Sequence, residues 1–588
     1  MALSRQDLVP YGVNIGGWFC LEDWFYSAET GPSAGHCVKT PEPGYDAEKC
    51  RVKTEDYVAD VQKIFKLSPE EARALPRPRF GCESDLINLL LEAGLSHDRI
   101  VKLFWQHRRT YVMPVDFARI RAMGIRRVRL PLTWCISYDT PYTIKGKSWQ
   151  GKDTSTNVLP GSGIVEDPFT NDPAFDPKGI NAPSDKWLSI PIAAVEAVLE
   201  TAASYGVEVL IDLHAFPGGS SAGTFNGIWP WNPRFWSAHR EENFRTIICR
   251  MLDWMESLRS SNPRAFRGLH GFTPMNEPAH LRGLHDAWGC STYDLRGAKG
   301  WSADASASDV LGVLAISVGE FRRRPGLAAN GKRLVMNIIE TSWPQCFGAA
   351  DKNSFGASLK EGMEGVYEDI GSWWRGLTTP SERQQWAVLD IHNYISWNPA
   401  VGGFVDIKDH GEFSGRINDL SLPFFRSLRD RLGLPKPELL ATAEYSGSTD
   451  QDTFNSITSG VGRKPTAFPG FKWWMARDAF LAAQHLAARE ASIDMWFWTY
   501  HIRKNVNYQG EWSLQHILSP WPRLTTILSC PFQISNCRAL GGEALRCIYH
   551  GAYMGLLMLF ATVQAPLSSL WLQRCGLRFH FRNSGGLH

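Results

Sequence analysis

Eight short, β-prone apolar runs recur along residues 11–500, and this recurrence narrows the fold more than any other feature of the chain. They read YGVNIGG (11–17), RRVRLPL (126–132), VEVLIDLH (207–214), HGFTPMNEP (270–278), RLVMNII (333–339), AVLDIHNY (387–394), ELLATAEY (438–445) and IDMWFWTY (493–500). Most are nearly continuous in apolar character, which suits parallel strands covered on both faces. Several spacers carry helical periodicity. MPVDFARIRAMG (113–124) and IPIAAVEAVLETAASYG (190–206) each end in Gly just before the next run, a helix-stop signal, and WWMARDAFLAAQHLAAREA (473–491) is another. Strand and helix alternating eight times predict a (β/α)8 TIM barrel.

Some spacers are too long for simple loops. Residues 27–110, 137–188 and 279–330 read as insertions on the barrel, and 149–179, rich in Gly, Pro, Asp and Asn, as a long ordered loop. The barrel pattern ends near residue 518, so the expected division is a barrel domain over 11–518 and a C-terminal extension of unknown structure over 519–588. Within that extension, residues 547–573 hold no Asp, Glu, Lys or Arg. Pro566, Gln564 and several Ser weaken a membrane span there, and a buried or poorly folded extension is the expectation. No apolar signal-peptide core precedes Tyr11, which leaves open a cytosolic location, an unusual export route or an incomplete gene model.

Composition excludes more than it identifies. A formal net charge of +2 gives no electrostatic case for nucleic acid. The 12 Cys include no CxxC pair and no Cys/His cluster of zinc spacing. No G-x-x-x-x-G-K-[ST] loop occurs, and HLRGLH (280–285) lacks both the spacing and the Glu of a zincin. The 24 Trp fit either an aromatic core or a groove lined with flat faces for sugar rings.

In a barrel of this type the active site forms at the C-terminal ends of the strands. The polar residues there are Arg129 on the second strand, Asp212 and His214 on the third, and Asn276 and Glu277 on the fourth. His392 and Tyr394 end the sixth, Glu444 the seventh, and Trp498 lies on the eighth. Glu277 and Glu444 are thereby expected to face each other across one barrel mouth, as glycoside hydrolysis requires: one acid protonates the leaving oxygen and the other attacks the anomeric carbon. Arg129 would hold a carboxylate ionised while its neighbour keeps a proton. Asn276 would donate to the sugar 2-OH, Tyr394 and His392 would hydrogen-bond the carboxylates, and Trp498 would offer a flat face to the ring. The bland alternative is a pair of solvated loop glutamates and a set of ordinary core residues.

This array resembles glycoside hydrolase family 5, and in particular its exo-β-1,3-glucanase branch. The likeness is carried by GVNIGGWFCLEDW (12–24), FWQHRRTYVMPVDFARIRAMGIRRVRLPLTW (104–134), IDLHAFPGGSSAG (211–223), MNEP (275–278), AEYS (443–446), FWTYHI (497–502) and EWS (511–513). It spans roughly residues 11–518, with Arg129, His214, Asn276, Glu277, His392, Tyr394, Glu444 and Trp498 in order. It implies Glu277 as acid/base, Glu444 as nucleophile, retention of configuration, and no metal or organic cofactor. It also implies a polysaccharide or oligosaccharide substrate and the extracellular or cell-surface setting usual in the family; the expected oligomeric state is a monomer. Ala-Glu-Tyr-Ser stands where the branch usually has Gly-Glu-Trp, which bears on substrate fit rather than on the carboxylate.

The same site would serve a β-1,4-glucanase, a glucosylceramidase or a transglycosidase. A non-catalytic glucan-binding barrel is a further alternative, against which the two glutamates count. GSSAG (219–223) satisfies G-x-S-x-G with Ser221, but AFPGG intervenes after the strand and TFNGIWPWNPRF, not a helix, follows, so the sharp strand–Ser–helix turn of a serine esterase is not expected.

Overall fold

The computed structural model describes residues 5–26, 59–80, 82–138, 142–144, 147–149, 161–167, 186–220, 235–236, 239–278, 307–340, 363–394, 425, 427–448, 473–502 and 512–518. Eight strands close into one parallel barrel: β1 Gly12–Asn14, β2 Arg127–Thr133, β3 Glu208–Ala215, β4 Leu269–Thr273, β5 Arg333–Glu340, β6 Ala387–His392, β7 Leu440–Tyr445 and β8 Asp494–Phe497. Each pairs with its neighbours in chain order, and β8 closes on β1 with Gly12 opposite Trp496 and Val13 opposite Phe497. This is the (β/α)8 architecture that the eight apolar runs predict. Every residue of β6 and β7 is buried, which is why those runs do not alternate.

Around the strands stand α1 Glu83–Glu92, α2 His97–Tyr111, α3 Pro114–Ala122, α4 Ile192–Ser204, α5 Arg240–Ser261, α6 Ala307–Arg322, α7 Met363–Leu377 and α8 Trp473–Ala491. Helix α3 starts with Pro114 in its first turn, where a missing N–H costs nothing, and the Asp116 carboxylate accepts the Met113 N–H at 2.9 Å. The stop signals after α3 and α4 are real: Gly124 has φ +97° and Gly206 φ +67°, left-handed geometry that glycine adopts without strain. The barrel interior is filled by Leu210, Val335, Val388, Ala441, Ala443 and Trp496, with Tyr11 packed edge-on to Trp496 at 5.6 Å. A larger apolar shell lies between strands and helices.

Two of the expected insertions need correction. Residues 279–330 are not an insertion throughout, because 307–322 form α6, the barrel helix between β4 and β5. Its Val310, Val313, Leu314, Val318 and Phe321 are buried at helical spacing, which Ser308, Gly312, Ser317 and Gly319 disguise. Residues 27–110 likewise contain α1 and α2, which bury Leu86, Leu90, Leu103 and Phe104 in the shared core. Within 137–188, Ile164–Glu166 pairs antiparallel with Lys186–Leu188. Most of the 149–179 stretch lies outside the described residues, as do residues 279–306 and Ser221.

The chain divides into two units, Met1–Ser519 and Pro520–His588, and every described residue belongs to the first. The run 547–573 therefore lies outside the described residues. No described helix is long and apolar enough to cross a membrane.

Candidate active site

The polar residues named at the strand ends converge at one mouth of the barrel. Arg129, fully buried on β2, is the hub. Its Nη1 donates to Glu444 Oε1 and, at 3.0 Å, to Asn14 Oδ1; its Nη2 donates to Asn276 Oδ1 at 2.5 Å and lies 3.1 Å from Asp212 Oδ2. One rigid guanidinium thus ties β1, β2, β3, β7 and the turn after β4 together, which a lysine's single ammonium could not do. Burial alone would lower the Arg129 pKa, but Asp212, Glu444 and Asp390 outweigh it, so the group is charged at any working pH.

Asn276 and Glu277 stand beyond the hydrogen-bonded end of β4, on the turn that Pro278 follows. The Glu277 backbone has φ +40°, a left-handed conformation unusual for a residue with a side chain. It is held there by the Glu277 N–H donating to Asn337 Oδ1 of β5 at 2.8 Å. The Asn276 N–H donates to the Leu213 carbonyl at 3.2 Å. With Asn276 Oδ1 taken by Arg129, its amide orientation is set, and its Nδ2 has no hydrogen-bond partner among the described residues.

Glu277 and Glu444 are buried, at 3% and 5% exposure, and they meet at one imidazole nitrogen. His392 Nδ1 is 2.6 Å from Glu277 Oε1 and 3.6 Å from Glu444 Oε2. Tyr394 donates its hydroxyl to Glu444 Oε2 at 2.9 Å. Behind His392, its Nε2 lies 3.2 Å from Asp390 Oδ2, and neither atom has another hydrogen-bond partner among the described residues. Asp390 Oδ1 accepts the Ala443 N–H at 2.7 Å, so the same carboxylate braces the strand that carries Glu444.

The two carboxyl environments differ. Burial raises the Glu277 pKa above the carboxylate range, and the nearby Glu444 adds to this against the opposing effect of His392. Glu444 instead touches the Arg129 guanidinium directly. His392 would be lowered by burial, but Glu444 and Asp390 hold it well above the usual imidazole range. One acid that favours its proton, set close to a second carboxyl fixed against a guanidinium, is an arrangement suited to acid/base chemistry.

His214 and Trp498 complete one wall. His214 Nδ1 is 2.6 Å from Asp212 Oδ2, and the His214 ring stacks on Trp498 at 5.5 Å and 7°. A Cβ at Gly16 would come within 2.8 Å of both the Trp498 and Phe25 rings, so glycine there makes room for the indole. The Trp498–Thr499 peptide is cis. The sequence reading named all eight of these groups but not Asn14, Asn337 or Asp390, which hold them in place. Their signal was present as isolated polar residues inside apolar strand runs, all three fully buried with nothing apolar to contribute.

Glu277, His392 and Glu444 place potential ligand atoms within 4.8 Å of one another, the geometry of a small metal site. Their atoms are already engaged by Arg129, Tyr394 and each other, and the adjoining guanidinium opposes a cation. The set therefore fits proton transfer and nucleophilic attack better than metal binding.

No family model matches the chain, and no curated protein matches it. Among solved structures it is similar to a rutinosidase from Aspergillus niger, with 13% identity, a TM-score of 0.44 and coverage of 88% of this chain and 98% of that one. It is also similar to a broad-specificity endoglucanase from an uncultured bacterium, with 12% identity, a TM-score of 0.36 and coverage of 84% and 87%. A glycoside hydrolase family 5 enzyme from Prevotella bryantii B14 gives 13% identity, a TM-score of 0.35 and coverage of 88% and 96%. Likeness at this level leaves the chemistry to be judged from the site's own geometry.

Proposed function

We propose that the chain is a retaining glycoside hydrolase that cleaves β-glucosidic bonds, with β-1,3-linked glucan as its substrate. The observation that carries this reading is the pair of buried carboxylates at the barrel mouth, sharing one imidazole with oxygens within 4.8 Å. Retaining enzymes hold their two carboxyl groups about 5–5.5 Å apart, and inverting ones about 6.5–9.5 Å apart to admit a water between them. The short separation supports retention. The β-1,3 preference rests on the resemblance of the strand-end motifs to the exo-β-1,3-glucanase branch.

In the first step a Glu444 oxygen forms a bond to the anomeric carbon as the glycosidic C–O bond breaks, and Glu277 gives its proton to the leaving oxygen. In the second, water attacks that carbon, Glu277 takes the water's proton, and the bond to Glu444 breaks. Arg129 and Tyr394 each hydrogen-bond one Glu444 oxygen and aim the carboxyl. The free Nδ2 of Asn276 donates to the sugar 2-OH, a contact that tightens in the transition state.

The test is the Glu444→Ala variant with azide. The expected result is loss of hydrolysis, rescue by azide, and an α-glycosyl azide product. Near-normal turnover without azide would remove Glu444 from the nucleophile role. Products from laminarin, cellulose and glucosylceramide, with anomeric configuration followed by NMR, decide the substrate.

A further inference from the structure

The end of the barrel opposite Glu277 and Glu444 holds a cavity of about 700 Å³ that the proposed chemistry does not use. It opens between the segment preceding β1, the loop preceding β7 and helix α8, below the Tyr11–Trp496 plug. Its volume falls within the range of about 300–1,000 Å³ typical of small-molecule sites. Five basic side chains line it, Arg127, Arg333, Arg429, Lys436 and Arg489, against the carboxylates of Asp494 and Glu438.

The positive charge is not balanced from within. Arg333 pairs with Asp494 at 3.1 Å, and Arg127 stands 3.6 Å from Glu208. Glu438 is taken by Arg383 at 2.9 Å, outside the cavity wall. Among the described residues Arg489 has one carboxylate nearby, Asp7 at 3.9 Å, and its Nε donates to the His485 carbonyl at 3.2 Å. Arg429 is 6% exposed, and its hydrogen bonds all go to backbone carbonyls, those of Leu434, Glu438, Ala491 and Ser492. Lys436 donates to the Glu490 carbonyl. Neither Arg429 nor Lys436 has a carboxylate within ion-pair distance among the described residues. On the same rim His270 is pushed down to about 4, by burial first, with Arg333 and Arg127 contributing.

A buried cation without a counter-ion destabilises a fold, and the N-terminal face of such a barrel is ordinarily the place where stability is built. Donors also remain open. Among the described residues Lys436 makes one hydrogen bond of a possible three, and Arg333 uses only Nη1. We infer that this cavity is an anion-binding site for a small molecule carrying oxyanion groups, a phosphate ester or a polycarboxylate. Lys436, Arg333 and Arg489 make the contacts, and Arg429 supplies a fixed charge behind them. Apolar walls from Val9, Leu439 and Ile493 strengthen such contacts by excluding water.

The inference stands apart from the glycosidase reading and is tested without assaying activity. Calorimetric titration and thermal unfolding of the full chain are followed with pyrophosphate and with citrate, each against sodium chloride at equal ionic strength. Saturable binding of either anion supports the site, and the tighter of the two identifies the ligand's source. Binding is expected to survive in Glu444→Ala and to weaken about ten-fold in each of Lys436→Ala and Arg489→Ala, two side chains at the rim rather than in the core. No binding beyond the salt control overturns the inference. So does binding unchanged in both rim variants, or binding lost in Glu444→Ala, which would place the anion at the other mouth.

Discussion

The two ends of the barrel are built from the same strands and handle charge in opposite ways. At the C-terminal mouth four buried carboxylates, Asp212, Glu277, Asp390 and Glu444, are interleaved with Arg129 and His392 so that each cation touches more than one acid. At the N-terminal rim the contacts are smaller, Arg333 with Asp494 and Glu208 with Arg127 and His270, and two cations, Arg429 and Lys436, bond only carbonyls among the described residues. The mouth is a coupled network in which removing one charge shifts the others; the rim is a set of separable contacts. Pairwise additivity is expected to fail at the first and to hold at the second.

The largest effect tests the mouth. Glu444→Ala is expected to lower kcat by about 10⁴-fold or more, because losing the nucleophile removes the covalent route itself. Next comes Glu277→Gln, at about 10²–10⁴-fold on substrates with poor leaving groups. With a dinitrophenyl leaving group, which needs no proton, the loss should shrink sharply. A loss equal on both substrates would mean that Glu277 is not the proton donor.

The third prediction sharpens the coupling. Because burial raises the Glu277 pKa, its acid form persists above the usual carboxylate range, and the alkaline limb of kcat/KM should lie there. Asp390→Asn keeps the acceptor for the Ala443 N–H and removes the charge facing His392. His392 then gives up its proton more readily. A neutral imidazole no longer lowers the Glu277 pKa, so the alkaline limb should move to higher pH, by up to about one unit. A limb that moves down would show that Asp390 acts on Glu277 directly and not through the imidazole.

The smallest effect belongs to the rim. Arg333→Ala is expected to leave kcat/KM within about two-fold and to change stability by about 1 kcal/mol or less, read by denaturant unfolding, because its ion pair is partly exposed. A large activity loss would mean that the two ends communicate, and the contrast between them would break.

The barrel was legible because continuous apolar runs and glycine-stopped helices are local patterns, and each strand-end residue could be read by its place at the end of a run. Helix α6 was less legible, since its glycines and serines blurred a periodicity that packing of Val313, Leu314 and Phe321 makes plain. Asn337 and Asp390 were overlooked for a different reason. A polar residue inside an apolar strand says that it must have a partner, but not which one.

The sequence by itself determined the strand count, the parallel topology and the order in which Arg129, His214, Asn276, Glu277, His392, Tyr394, Glu444 and Trp498 arrive at the strand ends, because these follow from periodicity and position along the chain. Only the tertiary structure decided that Glu277 and Glu444 share His392, that Asn337 holds Glu277 at φ +40°, and that Arg429 bonds only backbone carbonyls among the described residues. The site contacts among these join residues 52, 60 and 115 positions apart, brought together by barrel closure, which no local pattern encodes.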